Sequence, residues 1–193
     1  MRIYFAGASG AVGGRLVPLL IEAGHTVGAM TRSAEKGALL ESLGAQPIVC
    51  DVFDRPALTR EVRAFAPDLL LHQLTDLPDE LAQLPADSLL NARIRTEGTR
   101  NLLDALEDVG RTKIVAQSVA WNMRPGAEAD AVASLEAAVL AENGVVLRYG
   151  LFYGPGTYFD GSLPPAPRVH IDTAAARTLD ALDAPSGVVT IVE

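Results

Sequence analysis

Residues 1–30 constrain the rest of the chain most. Arg2-Ile3-Tyr4-Phe5-Ala6 is a short apolar run with a β-branched residue and two aromatics, the pattern of a buried strand. Gly7-Ala8-Ser9-Gly10-Ala11-Val12-Gly13 follows, its glycines spaced three and three. Val12, Leu16, Leu19, Leu20 and Ala23 then recur at helical spacing, and Gly24 stands where a helix C-cap is expected. Thr26 to Met30 reads as a second strand and completes a strand–turn–helix–strand unit.

The three glycines have separate physical roles. Gly7 allows a tight exit from the strand. Gly10 leaves room for a pyrophosphate to approach the backbone, where a helix N-terminus offers unpaired N–H groups and partial positive charge. Gly13 is expected to allow close packing of helix on sheet. Placed after a strand and opening a helix, the run implies a dinucleotide-binding α/β fold, with Gly7, Ser9, Gly10, Ala11, Val12 and Gly13 as cofactor-binding candidates.

Composition narrows the function classes. The 193 residues suffice for one domain with a sizeable core, so residues 1–193 are expected to form a single unit. A net charge of −8 without a basic cluster argues against a nucleic-acid partner. No apolar run reaches spanning length and the chain opens on a strand, so neither signal peptide nor membrane anchor is expected. The single Cys50 excludes an internal disulfide and fits a reducing cytoplasm. Three scattered histidines without ligand spacing give no metal site.

The GxxGxxG spacing resembles the short-chain dehydrogenase/reductase superfamily, and later stretches resemble its NAD-dependent epimerase/dehydratase branch. The resemblance implies a doubly wound Rossmann fold of about seven mostly parallel strands. At the end of the second strand, where an Asp or Glu would hold the ribose hydroxyls of NAD, stand Arg32 and Ser33, with Lys36 close by. That set suits a 2′-phosphate, so NADP is the expected cofactor ahead of NAD. The third strand ends in Asp51-Val52-Phe53-Asp54. The resemblance gives Asp51, beside Val52, the adenine amino group, whereas Asp54 before Arg55-Pro56 is suited to capping a helix. Leu74 and Thr75, at the exit of the fourth strand, are implied to line the nicotinamide ribose. His72 falls inside that strand and reads as a hydrogen-bonded core residue.

Asp76 to Pro85 is a polar loop, and Asp87 to Val109 reads as one long helix ending before Gly110. Its Gly98-Thr99-Arg100-Asn101-Leu102-Leu103 resembles the branch's GT-x-N-L-L helix, with Asn101 structural. Lys113 to Gln117 is the fifth strand, and Ser118 at its end matches the branch's active-site serine, expected to orient a substrate carbonyl or hydroxyl. The next helix, Ala127 to Glu142, has Val132, Leu135 and Val139 as its expected buried stripe. The resemblance implies a Tyr-x-x-x-Lys proton-transfer pair on this helix. Glu136 matches a glutamate that the branch often has four residues after the lysine; counting back from it puts Val132 at the lysine and Glu128 at the tyrosine, and the chain contains no Tyr-x-x-x-Lys at all. Tyr149, Tyr153 and Tyr158 are nearby phenols, and Trp121 suits either a pocket wall or packing.

Leu147-Arg148 followed by Tyr153-Gly154-Pro155-Gly156 resembles the branch's LR-x-x-x-x-YGPG, and Val169-His170-Ile171-Asp172 its VH-x-x-D, with Asp172 expected as a helix N-cap. The segment between them is short, and a substrate lobe is expected to be reduced or absent. The resemblance implies an NAD(P)-dependent oxidoreductase or epimerase acting on an unidentified small molecule. Loss of the Tyr/Lys pair leaves open a non-redox sensor or regulator, or a non-redox enzyme on the same scaffold. The helices at 87–109 and 127–142 suit pairing across a two-fold axis in a homodimer, and their alanine faces suit ordinary packing equally.

Overall fold

β1 (Arg2–Ala6) is the strand about which the others are placed. In the computed structural model, which describes residues 1–77 and 84–193, β1 pairs in parallel with both β2 (Thr26–Thr31) and β4 (Leu69–His72). β3 (Gln46–Val49), β5 (Lys113–Val119), β6 (Val145–Tyr149) and β9 (Gly187–Ile191) complete an all-parallel sheet of order β3-β2-β1-β4-β5-β6-β9. This is the expected seven-stranded Rossmann sheet. Strand order reverses between β1 and β4, which opens a crevice at their C-terminal ends. A separate parallel pair, β7 (Leu151–Tyr153) and β8 (Arg168–His170), was not legible in the sequence.

Side-chain alternation divides β1 between two cores. Ile3 and Phe5 join the core under α1 (Gly13–Glu22), α2 (Ala34–Ser42) and α7 (Ile171–Asp180), which includes Leu16, Leu20, Leu40 and Ala174. Tyr4 and Ala6 join the opposite core with Leu58 and Val62 of α3 (Arg55–Phe65) and Leu135 and Val139 of α6 (Ala127–Ala141). Asp54 caps α3 as expected, its Oδ1 accepting the Ala57 N–H at 3.1 Å.

The long helix expected over Asp87 to Val109 is instead three pieces. α4 (Leu84–Arg93) runs into a π-helical turn, Ile94–Gly98, and then into α5 (Thr99–Asp104). Beyond Asp104 the chain tightens into i→i−3 bonds, Glu107 N–H to Asp104 O and Val109 N–H to Leu106 O, so the apolar periodicity outlasts the helix. Residues 78–83 of the expected polar loop lie outside the described residues.

Two local expectations are corrected. Val132 is only half-buried; Ala131, Leu135, Glu136 and Val139 form the buried stripe of α6. The N-cap of α7 is His170, whose Nδ1 accepts the Asp172 N–H at 3.3 Å, while Asp172 sits in the first turn and pairs with Arg15 at 2.6 Å. Among the described residues, no helix is long and apolar enough to cross a membrane.

Candidate cofactor site

A cavity of about 1330 Å³ runs along the C-terminal edge of the sheet at the strand-order reversal. Compact ligand pockets usually hold about 300–1,000 Å³, so this cleft has room for a dinucleotide with a small molecule beside it. Its walls bring together Gly7, Ser9, Gly10, Ala11, Val12, Gly13, Arg32, Ser33, Asp51, Val52, Leu74 and Thr75. These are the twelve residues singled out from the sequence for the cofactor.

The glycine turn is built for close approach. Gly7 has φ +94°, and a Cβ there would lie 2.6 Å from the Gln73 carbonyl carbon and oxygen. Gly13 would run into the Ala8 carbonyl, so its lack of a side chain serves the turn itself rather than the expected packing of helix on sheet. Gly10 differs: the nearest atom to an added Cβ is Gly7 O at 3.3 Å, so the adjoining space is tight only on the backbone side. The turn is closed by Gly10 N–H to Gly7 O at 3.1 Å and Gly14 N–H to Gly10 O at 2.9 Å. The N–H groups of Ala11, Val12 and Gly13 make none of these bonds, and these residues line the cleft at the head of α1, a backbone cradle that fits a pyrophosphate.

The end of β2 forms a polar corner. Thr31 Oγ1 lies 3.3 Å from Ser9 Oγ and accepts the Ser33 N–H at 3.3 Å; Ser33 Oγ in turn accepts the Lys36 N–H and caps α2. Arg32 Nη2 reaches Asp76 Oδ1 at 3.2 Å. Asp51 Oδ1 accepts the Phe53 N–H at 2.9 Å, fixing the turn after β3 with its carboxylate on the cleft wall. Asn101 is structural, as expected, and donates to Val52 O at 3.0 Å.

His72 is the buried core residue the sequence implied. Its Nδ1 accepts the Leu74 N–H and its Nε2 lies 3.0 Å from Thr99 Oγ1, which requires the proton on Nε2. Burial, helped by the nearby Arg95 charge, lowers its pKa to about 4.

Ser118 does not reach the cleft. β5 continues to Val119, so Gln117 and Val119 face the cavity and Ser118 points to the opposite side. There its hydroxyl donates to Glu136 Oε1 at 2.5 Å, and Arg148 donates to the same carboxylate through Nε at 2.8 Å and Nη2 at 2.5 Å. The Arg148 bonds hold the Glu136 carboxyl below its ordinary pKa against the effect of burial, with the Ser118 bond adding to them. The expected substrate-orienting serine is thus part of a structural triad on the far face.

Four cleft residues lie outside the cofactor candidates: the sequence pointed to Tyr149 as a nearby phenol and to Glu128 at the tyrosine position, but to neither Gln73 nor Arg95. Tyr149 Oη lies 2.6 Å from Thr178 Oγ1 and accepts from Gln73 Nε2 at 3.1 Å. Thr178 commits its proton to Ala174 O, so the phenol donates to Thr178, and burial pushes its pKa up to about 12. Among the described residues, Gln73 Oε1 has no hydrogen-bond partner. Arg95 and Glu128 also line the cavity. A charge at position 95, next to Ile94 on an apolar helix face, was the one available signal. Trp121 lines the cleft, Tyr158 does too, and Tyr153 Oη is bound to Glu193.

A doubly wound parallel sheet with a glycine cradle at its strand-order reversal defines a dinucleotide-binding Rossmann protein. The profile of the NAD(P)H-binding family matches residues 7–143, and the chain belongs to that family. It is 36% identical to a 3-diazoavenalumate denitrifying reductase from Streptomyces over 180 residues, covering 81% of this chain and 58% of the reductase. It is 28% identical to the photosystem II assembly factor Ycf39 of Synechocystis, covering 62% of this chain and 34% of that protein. The chain therefore spans roughly three-fifths or less of these relatives. Among solved structures, UDP-glucose 4-epimerase of Thermus thermophilus in complex with NAD superposes with TM-score 0.82 at 21% identity, over 100% of this chain and 78% of that one. The Thermotoga maritima UDP-glucose 4-epimerase gives 0.80 at 17% identity, over 100% and 77%. The fold is that of the NAD-dependent epimerases, and the chain is an NAD(P)-binding protein.

Proposed function

We propose that this protein is an NADPH-preferring reductase of a small electrophilic molecule. The observation that carries the reading is the asymmetry of the cleft: a complete dinucleotide cradle, with no tyrosine–lysine pair beside it. Glu128 lines the cavity where the tyrosine would stand, and Val132 takes the place of the lysine. Tyr149 keeps its proton in the Gln73–Thr178 chain. Reduction of a carbonyl leaves an alkoxide that needs a proton in the transition state, and none of these groups is set to deliver one. Acceptors that leave no alkoxide suit the site better.

The backbone of Gly10 to Val12 would hold the pyrophosphate, Asp51 and Val52 the adenine, and Leu74 and Thr75 the nicotinamide ribose. Arg32, Ser33 and Lys36 would take the 2′-phosphate. When bound, the reduced dinucleotide would supply a hydride, which on an arenediazonium cation forms the new C–H bond as the C–N bond breaks and dinitrogen leaves, a balance that calls for no proton donor. The likeness to a denitrifying reductase of 3-diazoavenalumate supports that acceptor class.

NADPH oxidation by an arenediazonium salt tests the reading. Equimolar dinitrogen release and NADPH oxidation, catalytic in protein and abolished by Gly10→Val, is the expected result. Tight NADPH binding without turnover of a diazo or carbonyl panel would instead assign a sensor or regulator. Turnover without net cofactor oxidation would assign a non-redox enzyme.

A further inference from the structure

Arg95 is a cation that the cofactor assignment leaves unused. It lies in the π-helical turn Ile94–Gly98, is only 8% exposed, and still lines the cleft. Among the described residues, no carboxylate lies within ion-pair distance of it and no hydrogen-bond acceptor is in place for its guanidinium. Glu128, in the first turn of α6, acts on it only through space. A buried charge without a contact partner is costly, and charged groups inside proteins are ordinarily paired. Other arginines of the cleft illustrate the contrast: Arg15 is bound to Asp172, Ala11 O and Pro155 O, and Arg32 to Asp76.

Two features make the arrangement a site rather than a defect. The π-helical turn widens the helix just where Arg95 enters the cavity, and such turns are frequent at functional sites. Ile94, from the same turn, and Trp121 and Met123, from the segment leading into α6, line the cavity with it and provide apolar wall. A guanidinium presents a planar fork of donors matched to a carboxylate or phosphate.

We infer that Arg95 binds the anionic group, a carboxylate or a phosphate, of a small substrate whose apolar body lies against Ile94, Trp121 and Met123. The inference rests on the reductase reading in that the anion belongs to the acceptor and not to the cofactor. Arg95 then sets substrate specificity, and its counter-charge arrives with the substrate.

Trp121 is the sole tryptophan and stands in the cleft, so its fluorescence reports binding directly. The probes are trans-cinnamate, phenyl phosphate and the uncharged cinnamamide, titrated into the full chain with and without NADPH, for wild type, Arg95→Met and Arg95→Lys. The expected result is binding of at least one anion, at least tenfold weaker binding of the amide, loss of about tenfold or more in Arg95→Met, and a smaller loss in Arg95→Lys. Whichever anion binds more tightly identifies the carboxylate or phosphate source. Thermal unfolding of Arg95→Met should be no lower than wild type, because a merely structural arginine would destabilise on removal. The inference is overturned if the amide binds as well as the anions, if Arg95→Met retains wild-type anion binding, or if no anion binds. A fall in NADPH affinity in Arg95→Met of more than threefold would assign Arg95 to the cofactor and equally overturn it. Failure of the wild type to bind NADPH would refute the reductase reading alone, since anion binding is measured without cofactor as well.

Discussion

Arg32 and Asp76 meet at one corner of the cleft, Nη2 to Oδ1 at 3.2 Å, although they leave strands that are not neighbours in the sheet. Arg32 follows β2 and Asp76 follows β4, with β1 between them. The Arg32 side chain is 57% exposed, and an ion pair so placed is worth only about 0–1 kcal/mol. A phosphate dianion would outcompete it at little cost.

The proposed preference for NADPH is tested at that pair. Arg32→Ala should weaken NADPH binding about 10- to 100-fold, the value of one or two charge-assisted hydrogen bonds, and change NADH binding by less than about threefold. Asp76→Asn should tighten NADPH binding a few-fold by removing the competing carboxylate. Isothermal titration with both cofactors checks both. Equal losses for NADPH and NADH in Arg32→Ala would remove the 2′-phosphate role.

The Ser118–Glu136–Arg148 triad should behave as structure. Ser118→Ala is expected to lower stability by about 1–2 kcal/mol, the usual cost of a lost hydrogen bond to a charged group, with NADPH affinity retained. Denaturant unfolding and cofactor titration of the same preparation separate the two effects. A stable Ser118→Ala protein that no longer binds NADPH would be the contrary outcome.

Glu136 also gives a pH signature. Its folded pKa lies below the ordinary carboxylate value of 4.5, so its contribution is present above that value and is lost as pH falls through the folded one. Glu136→Gln should cost about 2 kcal/mol at neutral pH, discounted for the exposed side of Arg148, and the gap to wild type should close in acid. Thermal melts across pH 3 to 7 would show this; a gap that widened in acid would contradict the charge assignment.

His72 shows the same proton linkage in a higher pH window. Its folded pKa of about 4 lies below the ordinary histidine value of 6.5, so between these values the unfolded chain binds a proton that the folded one refuses. The neutral imidazole stabilises the fold above pH 6.5, and about 3 kcal/mol of that is lost as pH falls to about 4. Nitrogen-resolved NMR should find a neutral ring protonated on Nε2 down to about pH 5. Titration of His72 near 6.5 would refute it.

Much of this was legible in the sequence because it depends on local pattern. The glycine spacing, the apolar run before it and the helical repeat after it specify the first βαβ unit without reference to anything distant. Arg32 and Asp51 could be placed because each stands at the end of a strand with a clear boundary. Ser118 could not, since β5 runs two residues past Gln117 and a side chain's face depends on strand parity. The π-helical turn left no mark either: its residues keep helical periodicity, and only packing reveals the added width around Arg95. His170 displaced Asp172 as the cap because capping geometry depends on which residue first leaves helical dihedrals.

The most direct measurement is titration of the purified protein with NADPH and NADH, for wild type and Gly10→Val, followed by nicotinamide fluorescence. A Cβ added at Gly10 would meet nothing nearer than Gly7 O at 3.3 Å, so the variant should fold, as circular dichroism would verify, while its side chain would fill the space proposed for the pyrophosphate. Micromolar binding of NADPH, weaker binding of NADH and loss of both in a folded Gly10→Val protein is the predicted result. A wild type that binds neither cofactor, or a variant that binds both unchanged, would contradict the assignment of the glycine turn as the cofactor cradle.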